Sequence, residues 1–133
     1  MDPRKLREAV FQIAYALEYV EGEDVMALVS KQLKMSKTHV REAYARAMQI
    51  YEKREDLDKA IDLATTDYEM GRIPMAELTI LRIGAYELLY DETIPGKVAI
   101  SEAIRLTRKF ATRDGARFIN AALDAIYPEK SIA

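Results

Sequence analysis

The side chains of this chain that could do chemistry are cations and rings rather than nucleophiles. Arg4, Lys5 and Arg7 open the sequence, and Phe11 and Tyr15 follow them. At about 100° per residue, Arg4, Arg7, Glu8, Phe11 and Tyr15 share one arc of a helix. Leu6, Val10, Ile13, Leu17 and Val20 share another. A second cationic group, Arg105, Arg108, Lys109, Arg113 and Arg117, lies near the end of the chain, with Phe118 beside Arg117. Guanidinium and ammonium groups neutralise phosphates, and aromatic rings stack on unpaired bases, so rings among arginines describe a surface for single-stranded RNA. A helix packed on both sides explains the same pattern differently, with Phe11 and Tyr15 as core or interface residues. On burial tendencies alone, that explanation has the advantage.

Other chemistries find little support. There is no cysteine, which removes thiolate catalysis, disulfides and cysteine-based zinc sites. The five glycines are scattered and form no phosphate-binding loop, and neither a nucleophile elbow nor an HExxH pair is present. His39 is the only histidine and reads as a surface helix residue. Between residues 52 and 69 the chain carries Glu52, Glu55, Asp56, Asp58, Asp62, Asp67 and Glu69, but without the glycine that a calcium loop requires. Those carboxylates read as a solvated acidic face. The chain is a binding module rather than an enzyme, with no cofactor expected.

The elements that must position these groups are helices. The 133 residues suit one domain with a real core, and half of them are apolar. Nine glycines and prolines together are too few for a turn-rich β fold. No apolar run approaches the roughly 18 residues of a membrane span, and the amphipathic start is unlike a signal peptide, so a cytoplasmic protein is expected. The net charge of −2 argues against indiscriminate coating of nucleic acid but allows a local basic patch.

In chain order, Asp2 and Pro3 fit the cap and first position of a helix running to about Val20. Glu21 to Asp24 form a turn before a short helix marked by Val25, Leu28, Val29 and Leu33. Ser36 caps a third helix through about Lys53. Residues 54 to 69 form a fourth, with no breaker between the two, so one long helix is also open. Pro74 enters a fifth helix, with Glu77 in its first turn. Pro95 and Gly96 interrupt the pattern before a sixth, and Asp114 is placed to cap a seventh. For Arg82 and Glu87 the favoured role is internal charge pairing that fixes helix packing.

Three stretches carry a family resemblance. They are Ile80-Leu81-Arg82 leading to Tyr86-Glu87-Leu88, then Pro95-Gly96-Lys97-Val98-Ala99-Ile100-Ser101-Glu102-Ala103, then Phe118-Ile119-Asn120-Ala121-Ala122-Leu123-Asp124-Ala125-Ile126. In order and spacing these resemble the NusB family of bacterial transcription antitermination factors. Ser101 stands where the family usually has Asn, Ile119 where it has Val and Ala121 where it has Gly. Arg7, Glu8, Gln12 and Tyr15 also fit the family's start.

The resemblance implies an all-α fold of about seven helices in two packed bundles, about residues 1–70 and 74–133. It implies binding of boxA-type RNA in ribosomal RNA leader transcripts, together with the ribosomal protein NusE, within an RNA polymerase antitermination complex. It makes Arg4, Lys5, Arg7, Tyr15, Arg117 and Phe118 RNA-facing residues, to which the pattern of rings among arginines adds Phe11. The family's arginine-rich opening is thinned here to Arg4, Lys5 and Arg7. Glu77, with the acidic fourth helix, is the expected face for a basic protein partner. A homodimer is possible. The alternative within the same fold is a module like the targeting domain of ribosomal RNA cytosine methyltransferases. An alternative without RNA is a helical scaffold that uses Phe11 and Tyr15 as a protein interface.

Overall fold

A computed structural model describes residues 2–66 and 72–127, and these contain seven α-helices and no strand. The helices are α1 (Pro3–Ala16), α2 (Gly22–Gln32), α3 (Lys37–Glu52), α4 (Arg54–Ala64), α5 (Met75–Tyr90), α6 (Gly96–Phe110) and α7 (Gly115–Ile126). They form two compact units, Met1–Lys53 and Arg54–Ala133. The fourth helix packs on α5 and α7. The C-terminal unit therefore begins at Arg54, whereas the family resemblance implied a division at about residues 70–74. Asp67, Tyr68, Glu69 and Gly71 lie outside the described residues.

In the N-terminal unit α1 packs on α2 and α3. Asp2 caps α1 as expected, its Oδ1 accepting from the Arg4 N–H at 3.0 Å. The helix stops at Ala16, short of Val20, and residues 17 to 19 continue as a turn. Ser36 caps α3, its Oγ accepting from the His39 N–H at 3.2 Å. Lys53 separates α3 from α4, which resolves the choice between one helix and two.

The C-terminal unit is built around α5, which packs on α4, α6 and α7. Burial runs continuously from Leu78 to Ala85 and includes Glu87 and Leu88, so α5 has no polar face to give it an amphipathic signature. Gly84 lets α7 approach closely. A Cβ there would lie 2.7 Å from Leu123 Cδ1. Buried hydroxyls are satisfied within their own helices. Thr79 donates to the Met75 carbonyl at 2.7 Å and Thr107 to the Ala103 carbonyl at 2.8 Å. Arg82, only 8% exposed, reaches Asp58 on α4 through two parallel bonds, Nε–Oδ1 at 2.8 Å and Nη2–Oδ2 at 2.9 Å. This is the internal pairing expected of Arg82, with Asp58 of α4 as its partner. It withdraws one carboxylate of α4 from the acidic outer face.

Candidate nucleic-acid interface

Helix α1 holds five of the seven expected RNA-facing residues. Arg4 and Lys5 are exposed in its first turn, Arg7 and Tyr15 are half-buried, and Phe11 is 5% exposed. Phe11 and Tyr15 stack with ring centroids 5.8 Å apart and planes 13° apart. The structure thus separates two residues that the sequence pattern treated alike. Phe11 belongs to the core, with Ala9, Val10, Ile13 and Ala14, and its ring presents almost nothing to solvent. Tyr15 rests on it and keeps part of its surface outside. The packed-helix explanation therefore holds for Phe11.

The charge arrangement at the start of α1 runs against helix stability. Partial positive charge accumulates at a helix N-terminus, where carboxylates are favoured and cations disfavoured by about 0.3–1 kcal/mol each. The first turn of α1 contains no acidic residue and does contain Arg4 and Lys5. Beside them the Asp2 carboxylate caps the same helix end, so cations and one carboxylate share this start of the helix.

Tyr19 was missed by the sequence reading. It extends the ring series Phe11, Tyr15 by four residues, although α1 has ended. Its ring meets Tyr15 edge-on, with centroids 5.3 Å apart, and it is 65% exposed. A hydrogen bond with the Tyr15 side chain raises the Tyr19 pKa, helped by burial and by the neighbouring Tyr15 and Glu18 charges. The repeated i, i+4 spacing of rings was the available signal. Tyr19 lines one surface depression with Glu18 and Glu21.

In the C-terminal unit Arg108, Lys109, Arg113 and Arg117 are exposed and Phe118 is half-buried. Lys109 Nζ lies 5.6 Å from the centre of the Phe110 ring. Arg105 is engaged with the buried Glu102, Nε–Oε2 at 2.9 Å, so this member of the cationic group serves the helix surface itself.

The start of α7 departs from expectation. Asp114 makes no side-chain cap. The Gly115 N–H donates instead to Thr112 Oγ1 at 3.0 Å, and the Thr112 hydroxyl donates to Glu77 Oε1 at a long 3.5 Å. Gly115 allows this, because a Cβ there would collide with the Glu77 carboxylate. Glu77, half-buried, thus places its negative charge over the positive end of α7. It has an intramolecular contact, and part of its surface stays outside.

No group of three or more metal-ligating side chains exists among the described residues, and none of their helices is long and apolar enough to cross a membrane.

Comparison with known proteins decides the family. The model of the NusB family matches residues 4–128. The chain belongs to the NusB family. The transcription antitermination protein NusB of Clostridium perfringens (strain SM101 / Type A) is 35% identical over 141 residues, covering 96% of this chain and 97% of its own. That of Geobacter sulfurreducens is 35% identical, covering 95% and 94%. A solved structure of T. maritima NusB superposes with a TM-score of 0.80 at 27% identity, covering 98% of both chains. A crystal structure of the antitermination factors NusB and NusE in complex with dsRNA has a TM-score of 0.78 at 22% identity, which bears on the fold. The all-α, seven-helix expectation and the family assignment agree with these likenesses.

Proposed function

We propose that this chain acts in transcription antitermination as an RNA-binding adaptor, holding boxA-type RNA together with the ribosomal protein NusE. Membership of the NusB family supports the role, and NusB relatives are matched over nearly their whole lengths. The observation that carries the RNA surface is the start of α1, where Arg4 and Lys5 sit at the positive helix end with no acidic residue in the first turn. Phosphates are held there by Arg4, Lys5 and Arg7. Tyr15, backed by the buried Phe11, offers its outer surface to an unpaired base. Arg117, with Phe118 beside it, provides a second point of attachment on α7. The protein partner is met by carboxylates that the fold leaves outside, Glu55, Asp56 and Asp62 of α4, with Glu77 acting mainly as an internal support.

The test is a titration with single-stranded boxA-type RNA, with and without NusE, at several salt concentrations. Affinity should fall steeply as salt rises, because each neutralised phosphate releases counterions. Arg7→Ala and Tyr15→Ala should each weaken binding, Tyr15→Ala by about 1–3 kcal/mol, while both variants keep their helical circular dichroism. Salt-insensitive association, or variants that bind normally, would remove α1 as the RNA surface. A duplex of the same sequence should bind less tightly, since its bases are not free to stack.

A further inference from the structure

The N-terminal unit carries a second surface feature that the RNA reading does not use. A groove of about 580 Å³ runs between α2 and α3. It is lined by Met26, Ala27, Ser30, Met35 and the buried Val40, together with Lys37 and Arg41. Lys31, in the last turn of α2, and Lys34, in the connection to α3, add to the same end of the helix pair. These four cations are all exposed, and no ion pair neutralises them among the described residues. The carboxylates of α2, Glu23 and Asp24, lie in its first turn, at the opposite end of the helix. The result is an apolar trough with unneutralised positive charge along one end.

We propose that this groove docks an acidic amphipathic segment of a protein partner. An apolar side chain of that segment seats on Met26, Met35 and Val40, and its carboxylates reach Lys37 and Arg41. Charge complementarity selects the occupant, and two flexible thioethers let the lining adapt to its shape. RNA fits the same place less well. Phosphates would satisfy the cations, but the lining offers no ring for a base to stack on, and its apolar surface would remain wet.

The test uses the full chain and a fluorescein-labelled peptide of about fourteen residues, with leucine at every third or fourth position and glutamate or aspartate between. Anisotropy should show saturable binding of this peptide. The exposed pair Lys37→Glu/Arg41→Glu should weaken it at least about tenfold. The same double variant should gain affinity for a peptide in which lysines replace the acidic residues. Met35→Gln should weaken both peptides without altering the melting temperature. Affinity for single-stranded boxA-type RNA should stay within about twofold in every variant. Failure of the acidic peptide to saturate, or its unchanged binding to the double variant, would overturn the proposal. So would a matching loss of RNA affinity in the double variant, which would make the groove part of the RNA surface. Loss of RNA binding through Arg4 and Lys5 would leave this outcome untouched, so the two readings fail separately.

Discussion

Two helix starts in this molecule solve the same electrostatic problem in opposite ways. At α7 the positive end is covered. Glu77 of α5 brings a carboxylate over it through the Thr112 hydroxyl, and Gly115 leaves room for that approach. At α1 only the Asp2 cap offsets the helix end, and Arg4 and Lys5 follow it. Each arrangement has a consequence for stability. A carboxylate at the N-terminal end stabilises a helix, and a cation there destabilises it. Helix α7 therefore begins where the fold is served, and α1 begins where local stability has been set aside. Under the proposed function, this departure from the local rule is where RNA binding, rather than helix stability, sets the residue type. Arg117 shows that a cation in a first turn is not decisive by itself, because Glu77 already lies beside that helix start.

The largest effect expected concerns what holds the α1 surface still. Phe11 is core, so Phe11→Ala should lower unfolding stability by about 3–5 kcal/mol, measured by urea denaturation. Phe11→Leu preserves most of the volume and should bind RNA nearly as the parent does. If Phe11→Leu stays folded yet loses RNA binding as Tyr15→Ala does, the ring itself is a contact, and its burial changes on binding.

The next prediction turns the contrast into opposite signs. Arg4→Glu/Lys5→Glu should raise stability, by about 0.3–1 kcal/mol for each site, while the slope of log affinity against log salt falls by about one to two. Stability and RNA affinity moving together would mean that the two cations serve the fold. The mirror experiment is Glu77→Gln. Loss of its charge should lower stability by about 0.3–1 kcal/mol and raise RNA affinity by about two- to fivefold, because the α7 end becomes more positive. An unchanged affinity would place α7, and with it Arg117, outside the RNA surface.

How much of this could be read from the sequence follows from which interactions are local. Helix periodicity, the Asp2 and Ser36 caps and the break at Pro95 are written in neighbouring residues, and they were legible. The unit to which the fourth helix belongs is not written in its own residues, because they reveal that it is buried but not against what. Its link to α5 runs through Asp58 and Arg82, twenty-four positions apart. The end of α1 was placed too late because Val20 continues the apolar spacing after the helix has stopped. Asp114 was given the α7 cap on residue type, whereas Thr112 takes the role and brings Glu77 with it, a relation spanning thirty-five positions. Phe11 and Tyr15 looked equivalent because helical angle orders side chains around an axis without saying how deep each one lies.

The smallest effect lies at the far end of the α1 ring series. Tyr19 titrates above its ordinary value, chiefly because of its hydrogen bond with Tyr15. A raised pKa means that the folded state favours the neutral phenol. The associated stability is complete below the usual tyrosine range near pH 10 and is lost as pH rises through the folded value. Because the Tyr19 phenol is solvent-exposed, the visible consequence is spectroscopic. An ultraviolet difference titration of the parent against Tyr19→Phe should isolate one late-ionising phenol, and Tyr15→Phe should move it down towards the ordinary value by removing the partner hydroxyl, with the Glu18 charge and desolvation still raising it. The same variant keeps the ring stacked on Phe11, so RNA binding should survive it. If binding is lost together with the hydroxyl, Tyr15 acts through a hydrogen bond rather than through its face, and the α1 surface reads phosphate or base edge at that point instead of stacking.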